Sequence, residues 1–416
     1  MTDTSDNLQT YLVGGAVRDR LLDYPFTEKD WVVIGATPAR MTEMGFTPVG
    51  KDFPVFLHPH TKEEYALART ERKTAPGYAG FSFYCSPEVT LEEDLRRRDL
   101  TINAIAESST GELIDPYGGA RDIQHKTLRH VSEAFTEDPV RILRVARFAA
   151  RYHHLGFTIA AETLSLIKQM VTSGEADHLV AERVWKEFDR ALRERHPEVF
   201  IATLQQCGAL AVVMPELAAL FGVPQPPQHH PEIDTGLHSL LVLQQACLLS
   251  NDTPVRFAAL MHDLGKGLTP REQWPRHIGH EHTGLKPIKQ LCQRLAVPND
   301  CRDLALMAAE FHTHCHRAFE LKPSTLLKLF KQTDAYRKPE RFKQFLLVCQ
   351  ADSQGRTGFE NREYPQSHYL AQALQTAKNV NVKALVNQGF KGAELGEAIE
   401  QERLGLLQQF KQEHTQ

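Results

Sequence analysis

The chain has 416 residues, 42% of them apolar and 24% charged, with a formal net charge of −4. That length suggests two to four domains at roughly 150 residues each, and the composition excludes a fibrous, broadly disordered or strongly nucleic-acid-like basic protein. No apolar run approaches the ~20 residues of a membrane span, the polar start Met1–Thr10 is no signal peptide, and seven Cys without a CxxC pair fit reduced thiols in the cytoplasm better than a thiolate zinc site.

Residues 11–130 mix short strand-like runs with helix signals. Tyr11-Leu12-Val13, Trp31-Val32-Val33-Ile34 and Pro54-Val55-Phe56-Leu57 read as strands. Residues 138–220 carry apolar residues at helical spacing. Residues 223–228, Val-Pro-Gln-Pro-Pro-Gln, read as a Pro-rich linker. Helical texture resumes over 236–350. The tail beyond 370 is polar and helical, with a break expected at Asn387-Gln388-Gly389.

Four stretches in the first half carry chemistry. Gly14-Gly15-Ala16-Val17-Arg18-Asp19 follows a strand and opens a helix, a turn whose backbone N–H groups can approach an anion. Glu28 and Asp30 stand two apart at a strand start, so they share a face and can hold a hard cation such as Mg²⁺. Taken alone, a solvated acidic pair at a strand start fits them better. The run Arg96-Arg97-Arg98 reads as part of a helix, one or two of its guanidiniums able to meet phosphate. Glu137-Asp138-Pro139 opens a helix on which Arg141, Arg144 and Arg147 recur every third residue, a stripe that a purely structural helix does not need.

The second half is rich in histidine. Ten of the 20 His lie within 229–316. His238, the step His262-Asp263, and the distant Asp352 form an ordered set of imidazole and carboxylate ligands suited to a divalent transition metal. The apolar run before His262 reads as a buried helix ending at Gly265. His280 and His312 are expected just outside the ligands or at a phosphate. His229, His230, His277, His314 and His316 read as surface residues. Further on, 317–344 holds eight Lys or Arg against three acids, a candidate phosphate-tracking patch.

In this order and spacing, the four stretches resemble the class II tRNA nucleotidyltransferases, the bacterial CCA-adding enzymes, in their multifunctional form with an HD domain. The resemblance covers nearly the whole chain, and bacterial poly(A) polymerases share its N-terminal motifs. It implies an α/β nucleotidyltransferase head, a DNA polymerase beta-like mixed sheet with helices, followed by an all-α neck, body and HD domain. The expected boundaries are a flexible 1–10, head 11–136, neck and body 137–222, linker 223–234, HD domain 235–352 and helical tail 353–416.

Carried over by position, the resemblance places Gly15, Arg18, Arg98, Arg144 and Arg147 at the nucleotide. Asp138 and Arg141 would read its base: cytosine and adenine each offer an amino donor beside a ring-nitrogen acceptor, which a carboxylate and a guanidinium complement. Glu28 and Asp30 would hold catalytic Mg²⁺, with Glu where Asp is commoner. A third carboxylate is expected nearby, Glu64 and Glu71 being the neighbours in sequence. His238, His262, Asp263 and Asp352 would form the HD metal site, associated with Ni²⁺ and with 2′,3′-cyclic phosphodiesterase, 2′-nucleotidase and phosphatase activities. The implied partners are CTP, ATP and the acceptor end of tRNA, recognised by shape and backbone, with no membrane, in a cytoplasmic monomer or homodimer. Two rivals remain at this stage: a poly(A) polymerase using ATP alone, and an HD nucleotide phosphohydrolase whose head only binds nucleotide. A non-catalytic tRNA-binding module would need neither the carboxylates nor the histidines.

Overall fold

The computed structural model describes residues 8–49, 55–73 and 81–414. The chain divides into two compact units, one reaching to Val213 and one beginning at Met214.

The first unit is organised by a mixed sheet. Its strands are β1 (Gln9–Val13), β2 (Asp30–Ile34), β3 (Thr47–Pro48), β4 (Val55–Leu57) and β5 (Glu64–Leu67), while β6 (Thr70–Lys73) and β7 (Phe81–Tyr84) form a separate hairpin. With β8 (Ala106–Glu107) and β9 (Leu113–Ile114), the sheet runs in the order β3-β4-β5-β2-β1-β8-β9. The expected strands are found, β1 starting two residues earlier than its apolar signal. Pro54 lies outside the described residues.

Strand β2 explains its own sequence. Val32 joins a core cluster with Val13, Leu95 and Ala106, whereas Val33 joins one with Met41, Phe46 and Leu67. Successive side chains point to opposite faces, and both faces are covered, so the strand reads as a continuous apolar run. Only its first residue, Asp30, emerges.

Helices complete this unit. Leu91–Arg96 begins in a capping box: Thr90 Oγ1 accepts from the Glu93 N–H, and Glu93 accepts from the Thr90 N–H. The helix ends at Arg96, so Arg97 and Arg98 lie beyond it. The sequence reading had placed all three arginines on one helix. Val140–Tyr152 buries most of its length, packing on Ala181–Leu192 and Pro197–Cys207.

The second unit is helical. Thr235–Leu249, Thr253–Met261, Asn299–His316 and Pro339–Gln354 pack on one another. Pro365–Lys378 and Gly392–Glu413 close against this bundle, with Tyr369 against Phe410 at 5.1 Å between ring centroids. The expected break is present: Val382–Asn387 ends before Gly389, whose φ is +96°. The Pro-rich stretch expected as a linker is instead folded into this unit. Gln225 N–H donates to the Ile233 carbonyl at 2.7 Å, and Thr235 donates to the Val223 carbonyl at 2.9 Å. Its prolines shape a turn that holds polar residues against the histidines.

No helix among the described residues is long and apolar enough to cross a membrane.

Candidate active sites

In the first unit, register assembles the acids. Asp30 lies opposite Val13 on antiparallel β1 and opposite Glu64 on parallel β5. Residues opposite in register share a face, so Glu64 stands beside Asp30 at one end of the sheet. Glu28 precedes it by two. The side chain of Glu71 lies outside the described residues. Glu28, Asp30 and Glu64 line a cavity of about 950 Å³ together with Gly15, Arg18 and Arg98. No hydrogen bond satisfies these three carboxylates among the described residues. Partial burial pushes the Asp30 carboxyl above its usual range; Arg98 pulls it down and Glu28 pushes it up again. Clustered carboxylates without donors suit a hard divalent cation, which supplies the missing charge.

The cavity's arginines are held by a buried polar network. Tyr152 Oη donates to Asp19 at 2.6 Å, and Asp19 accepts from Arg18 Nε at 2.7 Å. Arg18 donates onward to the Asn103 side chain, whose Nδ2 donates to Asp99 at 2.9 Å. Arg144 Nε closes the line on Asp99 at 2.7 Å. Burial favours the neutral form of Asp99, but Arg144, Asn103 and Arg141 outweigh it and hold the carboxyl well below the ordinary carboxylate range. Arg98 is anchored through Asp94, which accepts from Arg97 at 2.8 Å and from Arg98 at 3.1 Å. Arg147 reaches Glu187 at 2.6 Å, both nearly buried. Asp19, Asn103, Asp99 and Glu187 were missed in the sequence because their roles depend on long-range pairing.

Asp138 and Arg141, expected at the base, each have protein partners in the cavity. Asp138 receives both terminal nitrogens of Arg183, at 3.1 and 2.7 Å. Arg141 is buried and donates to the carbonyls of Ala134 and Arg97 at 2.5 and 2.6 Å. Both residues line the cavity, each already engaged by protein groups.

In the second unit the expected ligands converge. His238 Nε2 is 3.1 Å from Asp352 Oδ1, and His262 Nε2 is 3.7 Å from the same oxygen. His262 Nε2 is also 3.2 Å from Asp263 Oδ2. Asp263 Oδ1 faces His280 Nε2 at 3.4 Å and His312 Nε2 at 3.8 Å. The donors form three overlapping or adjacent sets among the described residues, His238–His262–Asp352, Asp263–His280–His312 and His230–Glu232–His238. His280 and His312 stand among the donors, not behind them.

The helices make this convergence specific. Thr253–Met261 ends earlier than expected, leaving His262 and Asp263 just beyond its last turn. Nδ1 of His262 donates to the Ala259 carbonyl at 2.8 Å, that of His280 to His277 at 2.7 Å, and that of His312 to Ala308 at 2.9 Å. Each carbonyl fixes a tautomer whose bare Nε2 faces the centre, the arrangement that metal-ligating imidazoles require. His262 Nε2 and both Asp263 carboxylate oxygens are buried without a properly directed hydrogen bond. Burial pulls the His312 pKa down to about 3, so this imidazole is neutral and its lone pair available. A divalent metal therefore fits the donor set. At Gly265 a Cβ would collide with the His280 carbonyl oxygen, so only glycine admits this close approach.

Several neighbours were missed. Glu232, from the Pro-rich turn, lies 2.9 Å from His238 Nδ1 and 3.1 Å from His230 Nδ1. Lys266 reaches Asp263 Oδ2 at 2.6 Å. His316 meets Asp352 Oδ2 at 2.6 Å, and His230 and His277 are buried. These three histidines are not surface residues. The 317–344 patch is also more self-neutralised than its count suggests: Arg317, Arg337 and Lys343 pair with Glu320, Asp334 and Glu340 of the same segment. Lys322, Lys328 and Lys338 have no ion-pair partner among the described residues.

A mixed-sheet head with clustered carboxylates facing an arginine-lined cavity, together with a His/Asp centre in a separate helical unit, defines a nucleotidyltransferase joined to an HD unit. The comparisons with known proteins agree. Residues 10–129 match the poly A polymerase head domain, 156–221 the probable RNA and SrmB-binding site of polymerase A, and 235–338 the HD domain. The multifunctional CCA protein of Teredinibacter turnerae is 64% identical over 98% of this chain and 99% of its own, and that of Aliivibrio salmonicida is 58% identical over 95% and 98%. Among solved structures, an apo CCA-adding enzyme superposes with a TM-score of 0.67 at 20% identity, covering 98% of this chain and 89% of that one. A Thermotoga maritima CCA-adding enzyme complexed with tRNA gives 0.60 at 18%, covering 98% and 92%. At that identity these two structures establish the fold alone. By its relatives, the chain belongs to the multifunctional CCA protein family.

Proposed function

We propose that the chain adds C, C and A in turn to the 3′ end of tRNA, using CTP and ATP and releasing pyrophosphate, and that its second unit hydrolyses phosphate esters. The observation that carries the first half is the register: Asp30 opposite Glu64, with Glu28 two residues away, facing a cavity lined by arginines. A head that only bound nucleotide would have no need to gather carboxylates beside phosphate-binding guanidiniums. The full-length relatives support the same reading.

Glu28 and Asp30 are the residues to hold Mg²⁺, with Glu64 as the third carboxylate. The cation would stabilise charge on the attacking 3′-oxygen, the α-phosphate and the departing pyrophosphate. The remaining work falls to the chain. Arg18 and Arg98 are held by Asp19, Asn103 and Asp94, and Arg144 and Arg147 by Asp99 and Glu187, so their orientation costs little on binding the triphosphate. For Asp138 to accept from a base amino group, it must release Arg183. Arg141 must likewise exchange a backbone carbonyl for a ring nitrogen. A carbonyl and N–H in those positions, as on uracil and guanine, would leave both groups unpaired, costing ~1–3 kcal/mol or more each.

In the second unit, His238, His262, Asp263 and Asp352 would hold a divalent transition metal, Ni²⁺ the leading candidate, with Asp263, His280 and His312 able to hold a second. Such a metal supplies activated water and neutralises phosphate charge. The HD activity would clear phosphorylated or damaged tRNA 3′ ends before the head rebuilds them, in the cytoplasm.

A primer-extension assay tests the reading. With tRNA lacking its CCA, Mg²⁺, CTP and ATP, three added residues are expected. A long tail from ATP alone would favour a poly(A) polymerase, and no extension would overturn the head's assignment.

A further inference from the structure

A second cavity, of about 720 Å³, lies in the second unit directly against the His/Asp centre. Two of its lining residues, His316 and Arg356, contact Asp352 of that centre. One oxygen of Asp352 faces His238 and His262; it also accepts from Arg356 Nη2 at 3.3 Å, while the other oxygen accepts from His316 at 2.6 Å. The walls carry Arg317, Arg356 and Arg362 against a single acid, Glu363. A cleft lined by one sign of charge concentrates its counter-ion.

The three arginines differ in depth. Arg317 and Arg362 are at the rim, the first paired with Glu320 and the second 5.5 Å over the Phe359 ring. Arg356 is the inner one. Among the described residues it donates, besides Asp352, only to the His229 carbonyl, at 3.4 Å, and its Nε is buried without a hydrogen-bond partner. A guanidinium with a buried, unspent N–H calls for an anion that can take two parallel bonds. Two polar groups on the same wall are tied into the centre: Tyr364 Oη bonds His316 Nδ1 at 2.8 Å, and His316 Nε2 bonds Asp352.

We propose that this cavity is the substrate cradle of the HD unit, with Arg356 gripping the phosphate of a phosphate monoester at the end of a nucleotide or RNA strand, and Arg317 and Arg362 receiving it at the rim. This rests on the reading of the second unit as a phosphohydrolase. The cradle reads phosphate charge and leaves the nucleoside in the open mouth, so it accepts monoesters of differing bases.

The test uses the full, metal-loaded chain with 2′-AMP as substrate, inorganic phosphate as product inhibitor and adenosine as control. Arg356→Gln is expected to raise the KM for 2′-AMP and the inhibition constant of phosphate together, roughly 10–100-fold. CCA addition should stay unchanged, and both proteins are compared at saturating metal because Arg356 also holds Asp352. Arg362→Ala, at the rim and safe for folding, is expected to raise both by a few fold. Adenosine should not compete; inhibition by adenosine as strong as by 2′-AMP would contradict a phosphate-reading cradle. Hydrolysis with KM and phosphate inhibition unmoved in Arg356→Gln would overturn the cradle while leaving the hydrolase reading standing. If no hydrolysis is found with any divalent metal, calorimetry of inorganic phosphate binding decides separately. Binding that weakens in Arg356→Gln upholds the anion site without the hydrolase, and equal binding by both proteins overturns it.

Discussion

The two candidate centres are built on opposite principles. In the head, Asp30 and Glu64 lie at the end of a sheet, and their carboxylates accept no hydrogen bond among the described residues. In the second unit, His238, His262 and Asp263 are almost fully buried, and the imidazole protons are spent on backbone carbonyls so that the lone pairs converge. Mg²⁺ is usually held by one or two carboxylates plus substrate phosphates, whereas transition metals accept closed sets of protein nitrogen and oxygen. On the proposed reading, the first centre would be completed by its triphosphate. The second would be finished before any substrate arrives, which on the same reading keeps a substrate-gated chemistry apart from a hydrolytic one.

The contrast can be broken at the head. Asp30→Ala is expected to lower nucleotide incorporation by on the order of 10³-fold, because metal stabilisation of transition-state charge is worth several kcal/mol. Glu64→Ala should also impair it, while Glu63→Ala, whose carboxylate pairs with Lys29 and Trp31 instead, should not. Single-nucleotide addition kinetics distinguish the three. Glu187→Ala tests the scaffold beneath. It strands the buried Arg147, and breaking such a pair costs about 3–5 kcal/mol, readable as a lower midpoint in urea.

In the second unit, Glu232→Ala removes the carboxylate that orients His238. Loss of such a partner typically weakens metal binding by about 10–100-fold, measurable by competition with a chelating dye. The smallest effect concerns pH. Asp99 titrates below its unfolded value, so its contribution to stability is present above about pH 4 and is lost as pH falls toward its folded pKa. Urea unfolding between pH 5 and pH 3 should show a shallower loss of stability for Asp99→Asn than for the parent chain.

Much of the head was legible because its chemistry is local. Gly14-Gly15, Glu28 with Asp30, and the arginine stripe each sit within a few residues, where strand and helix periodicity fix which side chains share a face. Glu64 was not resolved from Glu71, since only the parallel pairing of β5 with β2 places it opposite Asp30. The three arginines at 96–98 were put on one helix because nothing in their pattern announces the turn after Arg96. The HD donors were legible as an ordered set, yet the standing of His280 and His312 was not: their approach depends on Gly265 letting a backbone pass. His230, His277 and His316 read as surface residues because burial of a lone imidazole leaves no periodic trace. The Pro-rich stretch misled for a related reason, its prolines building a hydrogen-bonded turn that delivers Glu232 to His238.

The claim that one centre is preformed and the other completed by substrate is tested most directly by anomalous diffraction from manganese-soaked crystals, with and without CTP. The account predicts a peak among His238, His262, Asp263 and Asp352 in both crystals, and a peak between Glu28 and Asp30 that strengthens sharply with CTP. A full-strength peak at Glu28 and Asp30 without nucleotide, or none at the histidines, would contradict it.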